Sequence, residues 1–237
     1  MVLELERSSH TGRLPPDWAI SRPKPLWRQS YDLLCAALRM AVLPDQVCER
    51  FGITSLRGER LAAVLPVVKG RLLDVGAGDN VLVKVYQRQA RAMALPQSAT
   101  ESVGVDVLDW GGGCTIIESS ANLPFEDERF DTVSFVASLN HIPERKEALA
   151  EAWRVLRPAG RVVITMISRL IGGIGHKIWW YSEDKHREVD ADEEMGLNRT
   201  EVLVLLAGAG FTRVAVSTFV YGLNTLYVAE KPPVQYT

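Results

Sequence analysis

The chain has 237 residues, 47 % hydrophobic and 24 % charged, which is enough apolar material for one substantial core. A formal net charge of −2 supplies no broad basic field, so a nucleic acid is disfavoured as the main partner. Three cysteines, Cys35, Cys48 and Cys114, form no CxxC pair and read as reduced thiols of a cytoplasmic protein, not as a disulfide frame or a zinc site. The opening MVLELERSSH carries acids where a signal peptide has a basic and then an apolar stretch. No apolar run approaches the roughly 20 residues that span a bilayer.

Residues 1–30 are broken by Pro15, Pro16, Pro23 and Pro25, with Trp18 and Trp27 set among Arg22, Lys24 and Arg28. Apolar residues at helical spacing predict a helix from Leu26 to Leu43, stopped by Pro44, and a second helix over 55–65. Residues 1–65 are therefore expected to form a helical appendage, packed on or capping a main unit over 66–237. Strand–helix alternation starts at Gly70. Arg71–Val75 is a short apolar strand, Val81–Leu95 a helix, Ser102–Val105 a second strand ending in Asp106, and Thr115–Ile117 a weaker third. Phe130–Val136 is a fourth strand and Glu144–Leu156 a helix. Arg157-Pro158-Ala159-Gly160 predicts a turn feeding the most β-prone run, Arg161–Ile167. A helix at 199–208 and strands near 212–219 and 224–230 close the chain. This alternation predicts a mainly parallel sheet with helices on both faces, whose ligands bind beyond the carboxyl ends of the strands.

The strongest chemical signal is Leu72-Leu73-Asp74-Val75-Gly76-Ala77-Gly78-Asp79-Asn80. Glycines at the end of a buried strand let the backbone turn sharply and approach a ligand, and Asp74 can accept a hydrogen bond from an ammonium group. Alone, this GxG suits a bland βα turn equally well. About 30 residues later Asp106 ends the second strand, where an acid is placed to take both hydroxyls of a ribose; a helix cap or a solvated loop acid is the plainer alternative. Together the two signals match the spacing of one βαβ unit.

LLDVGAGDN, VGVDVLDW, ANLPFEDERFDTVSFVASLNHIP and EALAEAWRVLRPAGRVVITM resemble, in this order, the class I methyltransferases dependent on S-adenosylmethionine (SAM). The resemblance is greatest to the type shared by ubiquinone/menaquinone-biosynthesis enzymes and many small-molecule methylases. It implies an α/β fold, a Rossmann-like three-layer sandwich on a mostly parallel seven-stranded sheet with the last strand antiparallel. It implies that Asp74, Gly76, Ala77, Gly78 and Asn80 hold the methionine part of SAM. Asp106 would bind the ribose, and Val107 would pack beside the adenine. Ser119, Ser120, Asn122 and Leu123 would line the adenine pocket, and Val136, Ala137 and Ser138 would border the sulfonium. The sequence departs from the family at two positions. Asn80 stands where the family often has glycine and is expected to act as a helix N-cap. Ser119 stands where the family often has an acid on the adenine amino group. A nicotinamide-dinucleotide dehydrogenase is the competitor at the level of the fold. The loop GAGDNV lacks that group's third glycine.

On the acceptor side, His141 follows the fourth strand and suits a general base, or else a structural hydrogen bond to a loop carbonyl. The insertion 168–198 carries His176 and His186 as further base candidates. Its Trp179, Trp180 and Tyr181 would wall an apolar acceptor pocket, as a lid that excludes water or as satellite core. His176 and His186 with Glu183, Asp184, Asp190 and Asp192 show no compact metal-ligand spacing, so no metal is expected. The expected acceptor is a small, partly apolar metabolite methylated at O, N or C. Methylation of protein or RNA and a non-catalytic SAM-binding scaffold are the alternatives. Trp18, Trp27 and the 26–43 helix suit peripheral membrane contact or simple packing on the main unit.

Overall fold

The computed structural model describes residues 14–36, 45–167 and 197–233. Its seven strands are β1 (Leu72–Val75), β2 (Val103–Asp106), β3 (Thr115–Ile116), β4 (Phe130–Val136), β5 (Leu156–Ile167), β6 (Thr212–Phe219) and β7 (Asn224–Glu230). They lie in one sheet in the order β3-β2-β1-β4-β5-β7-β6. The β1–β2, β2–β3, β1–β4 and β4–β5 pairs are parallel. β7 enters between β5 and β6 and runs antiparallel to both. This is the Rossmann-like α/β architecture expected, with its last strand reversed.

Alternation along the strands explains both layers. Leu73, Val75, Val133, Phe135, Val162 and Ile164 point to one face, where they meet Ala148, Leu149 and Ala152 of α7 (Arg145–Val155) and Val202 and Leu206 of α8 (Arg199–Gly208). Leu72, Val163 and Leu226 point to the other, where they meet Leu82, Val85 and Tyr86 of α5 (Val81–Ala92) and Leu61 and Val64 of α4 (Leu56–Val64). A strand buried on both faces needs apolar residues at both parities, so it reads as a continuous run. Each fully buried Leu or Phe contributes about 1.5–3 kcal/mol relative to exposure, which makes these strands the stable platform for the loops above them.

Helix limits follow from caps. Ser55 Oγ accepts the Gly58 amide at 2.9 Å and starts α4. Asn198 and Glu201 form a reciprocal capping box at α8: the Glu201 amide donates to Asn198 Oδ1 at 3.0 Å and the Asn198 amide to Glu201 Oε2 at 2.6 Å. α5 stops at Ala92, short of the expected Leu95, because Ala94 turns left-handed (φ 50°) and Leu95 N–H folds back to Ala90 O. A short helix, α6 (Gln97–Thr100), follows.

Two expectations need correction. Arg157–Gly160 is not a free turn: β5 already pairs with β4 at Leu156, and the next pair is Thr132 with Arg161. The intervening residues form a bulge. Ala159 (φ 61°) donates to Lys231 O at 3.0 Å while Lys231 N–H donates to Gly160 O at 2.8 Å. The second concerns the first long helix. α2 (Leu26–Leu34) closes on Cys35; of the expected 26–43 helix, residues 37–44 lie outside the described residues. It buries Asp32, not an apolar stripe. Lys24 Nζ lies 2.6 Å from Asp32 Oδ2, 2.8 Å from Thr54 Oγ1 and 2.7 Å from Glu59 Oε1, a network that ties α2 to α4 and leaves Leu26 and Leu34 exposed. α1 (Asp17–Ile20) and α3 (Asp45–Arg50) complete this N-terminal helical part, in which Arg28 stacks over Trp18 and Trp27. No helix among the described residues is long and apolar enough to cross a membrane.

Candidate active site

The site is built where β1, β2 and β4 end together. β1 delivers a buried carboxylate, Asp74, and then breaks at Gly76, whose φ of 73° only glycine adopts freely. A Cβ there would lie 2.4 Å from Ser138 Cβ, so the loop and the end of β4 touch with no side chain between them. Gly76 and Ala77 donate their amides to Val105 O at 2.9 and 3.0 Å, which lays the loop across β2. The next amide, Gly78 N–H, donates to Asp106 Oδ2 at 2.9 Å. No atom of the described residues lies within 4 Å of the position a Cβ would take on Gly78, so among them that side of the loop is open.

Asp106 ends β2 with its carboxylate in demand. Oδ1 accepts Leu108 N–H at 3.0 Å and Trp110 Nε1–H at 3.3 Å, while Oδ2 takes the Gly78 amide. Asp74 Oδ1 accepts Ser134 Oγ–H at 2.6 Å. Burial pushes the Asp74 carboxyl up to about 7; the Ser134 hydrogen bond pulls it down, and the charges of Asp106 and Asp79 push it up again. Asp79 is fixed from two sides, by Lys84 Nζ on its carbonyl at 3.0 Å and by Arg57 Nη1 at 3.8 Å from its carboxylate. The loop and the end of β2 thus bring three acids together, of which Asp79 is paired with Arg57 and Asp74 is held near neutrality by burial, an arrangement that a cation would complete.

Asn80 corrects the capping expectation. Its backbone is left-handed (φ 61°, ψ 28°) and its side chain makes no capping bond to α5. Nδ2 donates instead to Gly113 O at 3.3 Å. Asparagine tolerates this conformation better than most residues, which is the physical reason it can replace glycine here. Oδ1 packs onto Gly104, where an added Cβ would lie 2.2 Å away.

At the end of β4, Ala137 is left-handed (φ 56°), and its amide reaches Thr165 O at 3.2 Å and Thr165 Oγ1 at 3.0 Å. Ser138 Oγ–H donates to Val75 O at 2.6 Å. Ser138 therefore borders the glycine loop, with Val136 and Ala137 just before it at the end of β4. His141 closes a single 3₁₀ turn, Leu139–His141, and is exposed; its Nε2 lies 2.9 Å from Asn140 Nδ2. The ring meets the amide side chain of Asn140.

The remaining expected residues divide. Ser119 turns its own loop, with Oγ accepting Ala121 N–H at 3.0 Å; Ser120 and Leu123 are buried and Asn122 is exposed. Ile117 N–H donates to Asp106 O at 2.9 Å, which brings this segment beside the end of β2. Val107 stands at the surface, 47 % exposed. His176, His186, Trp179, Trp180 and Tyr181 lie outside the described residues, as does most of the insertion 168–198. Ser134, Thr165 and Trp110 touch the site and were not singled out above. Thr165 was detectable as a lone hydroxyl in the apolar end of β5, Val162–Ile167, whereas Ser134 shares β4 with Asp131 and Thr132 and carries no such mark.

Residues 73–164 fit a family model described as a methyltransferase domain. The chain is 26 % identical over 186 residues to the ubiquinone/menaquinone biosynthesis C-methyltransferase UbiE of Azotobacter vinelandii, covering 68 % of this chain and 74 % of that protein. It is 28 % identical over 192 residues to the Geobacter sulfurreducens protein of the same name, covering 68 % and 72 %. Its fold superposes on a SAM-dependent methyltransferase from Thermotoga maritima with a TM-score of 0.53 at 19 % identity, over 86 % of this chain and 95 % of that one. The CurJ carbon methyltransferase gives a TM-score of 0.54 at 17 % identity, over 85 % and 59 %.

Proposed function

We propose that this chain, a class I SAM-dependent methyltransferase, moves the methyl group to a small, partly apolar metabolite at oxygen, nitrogen or carbon. The observation that carries the reading is the meeting of the glycine loop, Asp106 and Ser138 at the carboxyl ends of three adjacent parallel strands. The residues present fit the cofactor. The open side of Gly78 leaves room for it, Asp106 keeps acceptor capacity for a ribose hydroxyl on Oδ2, and the acids Asp74 and Asp79 suit an ammonium and a sulfonium.

When bound, SAM supplies a methyl carbon already activated for in-line displacement. The chain's own work is then to align, to exclude water and, for a weakly acidic acceptor, to take a proton. Asp74, Gly76, Ala77, Gly78 and Asn80 would hold the methionine end and Asp106 the ribose. Ser119, Ser120, Asn122 and Leu123 would line the adenine side, with Val107 beside them. Val136, Ala137 and Ser138 would border the sulfonium. His141 is the proton acceptor. Its Nε2 lies 2.9 Å from Asn140 Nδ2, so the amide must swing off before Nε2 takes a proton.

The curated relatives are named as C-methyltransferases of ubiquinone and menaquinone biosynthesis, so a quinol ring carbon is the first acceptor to test. The net charge of −2 weighs against RNA, and the free cysteines support a reducing, cytoplasmic setting. Transfer of label from methyl-tritiated SAM to a panel of alkyl-substituted quinols and phenols tests the acceptor. Labelling of one such compound supports the reading. Labelling confined to added protein or RNA overturns it.

A further inference from the structure

We infer that Glu151 and Arg154 are positioning residues that hold the adenine-side wall of the cofactor pocket in its binding shape. The inference rests on the assignment of Ser119–Leu123 as that wall. Both side chains project from α7 toward the wall's exit. Glu151 Oε2 accepts the Leu123 amide at 2.8 Å. Arg154 Nη2 donates to Leu123 O at 3.1 Å and Nη1 to Phe125 O at 2.7 Å. The pair grips Leu123 by both of its peptide groups.

The two side chains also fix each other. Arg154 Nε reaches Glu151 Oε1 at 2.8 Å and Nη2 reaches Oε2 at 2.7 Å, a forked pairing that only a planar guanidinium makes. Asp127 Oδ1, 2.7 Å from Nη1, takes the last donor, so all five N–H groups of Arg154 are spoken for. Backbone bonds extend the attachment: Glu128 N–H reaches Arg154 O at 3.1 Å and Arg129 N–H reaches Val155 O at 2.8 Å. Phe125, between the gripped carbonyls, packs edge-on against Phe130 of β4 with ring centres 5.1 Å apart.

Upstream of Leu123, among the described residues, the wall is shaped by its own turn, Ser119 with Ala121 and Asn122, and by the Ile117 N–H bond to Asp106 O. Its downstream end is set by α7. A lysine at 154 keeps the charge but carries a point of three donors in place of the fork, and cannot reach Glu151 and both carbonyls at once.

The test is calorimetric titration of S-adenosylhomocysteine into wild type, Arg154→Lys, Glu151→Gln and Asp127→Asn, with amide hydrogen exchange on the unliganded proteins. Arg154→Lys and Glu151→Gln are expected to raise Kd about tenfold at unchanged stoichiometry, and to speed exchange of the Leu123 amide. Asp127→Asn removes an outer partner of Arg154 without freeing either carbonyl, and is expected to leave Kd within about twofold of wild type. A purely structural role lowers the folded fraction, and so the stoichiometry, without moving Kd; that outcome overturns the inference. If Arg154→Lys does not fold, Glu151→Gln decides alone, and an unchanged Kd overturns it. Wild type that binds no S-adenosylhomocysteine overturns the cofactor assignment itself, a result distinguishable from equal, tight binding by wild type and variants.

Discussion

Gly78 donates its amide to Asp106 Oδ2 across 2.9 Å, so the loop that leaves β1 is fastened to the acid that ends β2. One carboxylate thereby serves two parts of the site: it shapes the glycine loop and keeps acceptor capacity for a hydroxyl. Removing it takes away both. Asp106→Ala is expected to weaken S-adenosylhomocysteine binding by at least about a hundredfold, the equivalent of two charge-assisted hydrogen bonds. Asp106→Asn should fall between, because an amide keeps one acceptor and turns a donor toward Gly78 N–H. Calorimetry on the three proteins checks this, and equal affinity for wild type and alanine variant refutes the ribose assignment.

Asp74 sets a trade-off between stability and binding. Its folded carboxyl is raised from 3.8 to about 7 by burial, so the native state holds a proton that the unfolded chain releases near pH 4. The sign follows: for a raised pKa the stability is fully present below the unfolded value and is lost as pH climbs to about 7, up to about 4 kcal/mol in all. Asp74→Asn keeps an oxygen for Ser134 and never ionises. The variant should melt higher than wild type at pH 8 and about equally at pH 3. Cofactor affinity should move the opposite way: wild type binds more tightly at pH 8 than at pH 6, and the variant binds weakly with little pH dependence. Thermal melts and titrations at these pH values test both halves.

The left-handed turn at Asn80 gives a prediction in the backbone. Asn80→Gly needs no strain to adopt φ 61° and should keep the fold within about 1 kcal/mol of wild type. Asn80→Ala keeps a Cβ and loses the bond to Gly113 O, and should cost about 1–2 kcal/mol. Gly76→Ala is far worse, since its methyl would meet Ser138 Cβ at 2.4 Å in a left-handed residue. Denaturant melts should rank the three in that order; Gly76→Ala as stable as wild type would mean that the loop can back away from Ser138.

What was legible in the sequence tracks what is local. β1, β2, β4 and β5 announce themselves because burial on both faces demands largely apolar runs with few polar interruptions, and α8 because Asn198 and Glu201 form their cap three residues apart. The glycine loop and Asp106 were legible for the same reason, each lying at the end of such a strand. Arg157–Gly160 was misread because proline and glycine favour a turn and a bulge alike, and only pairing with Lys231, more than 70 residues away, separates them. Asn80 was misread because asparagine is favoured both as an N-cap and in the left-handed region. The inward Asp32 was hidden because its partners, Lys24 and Thr54, lie 8 and 22 residues off and give the helix no periodic mark. Glu151 and Arg154 fell out of reach in the same way, since their grip on Leu123 spans about 30 residues.

His141 provides the last test, one that separates chemistry from binding. It is exposed on a short turn stitched to Ser138, so its removal disturbs neither the sheet nor the glycine loop. His141→Ala should therefore leave the Kd for S-adenosylhomocysteine within about twofold, and stability within about 0.5 kcal/mol, as for a surface substitution. With whichever acceptor takes the label, kcat should fall about 100-fold or more if a base is needed. His141→Gln, which keeps a polar partner for Asn140 but accepts no proton near neutrality, should be as slow as alanine. Asn140→Ala should do less, because it frees Nε2 without removing it. If the alanine variant turns over at the wild-type rate, alignment alone carries the transfer, and the acceptor is one that loses its proton without help.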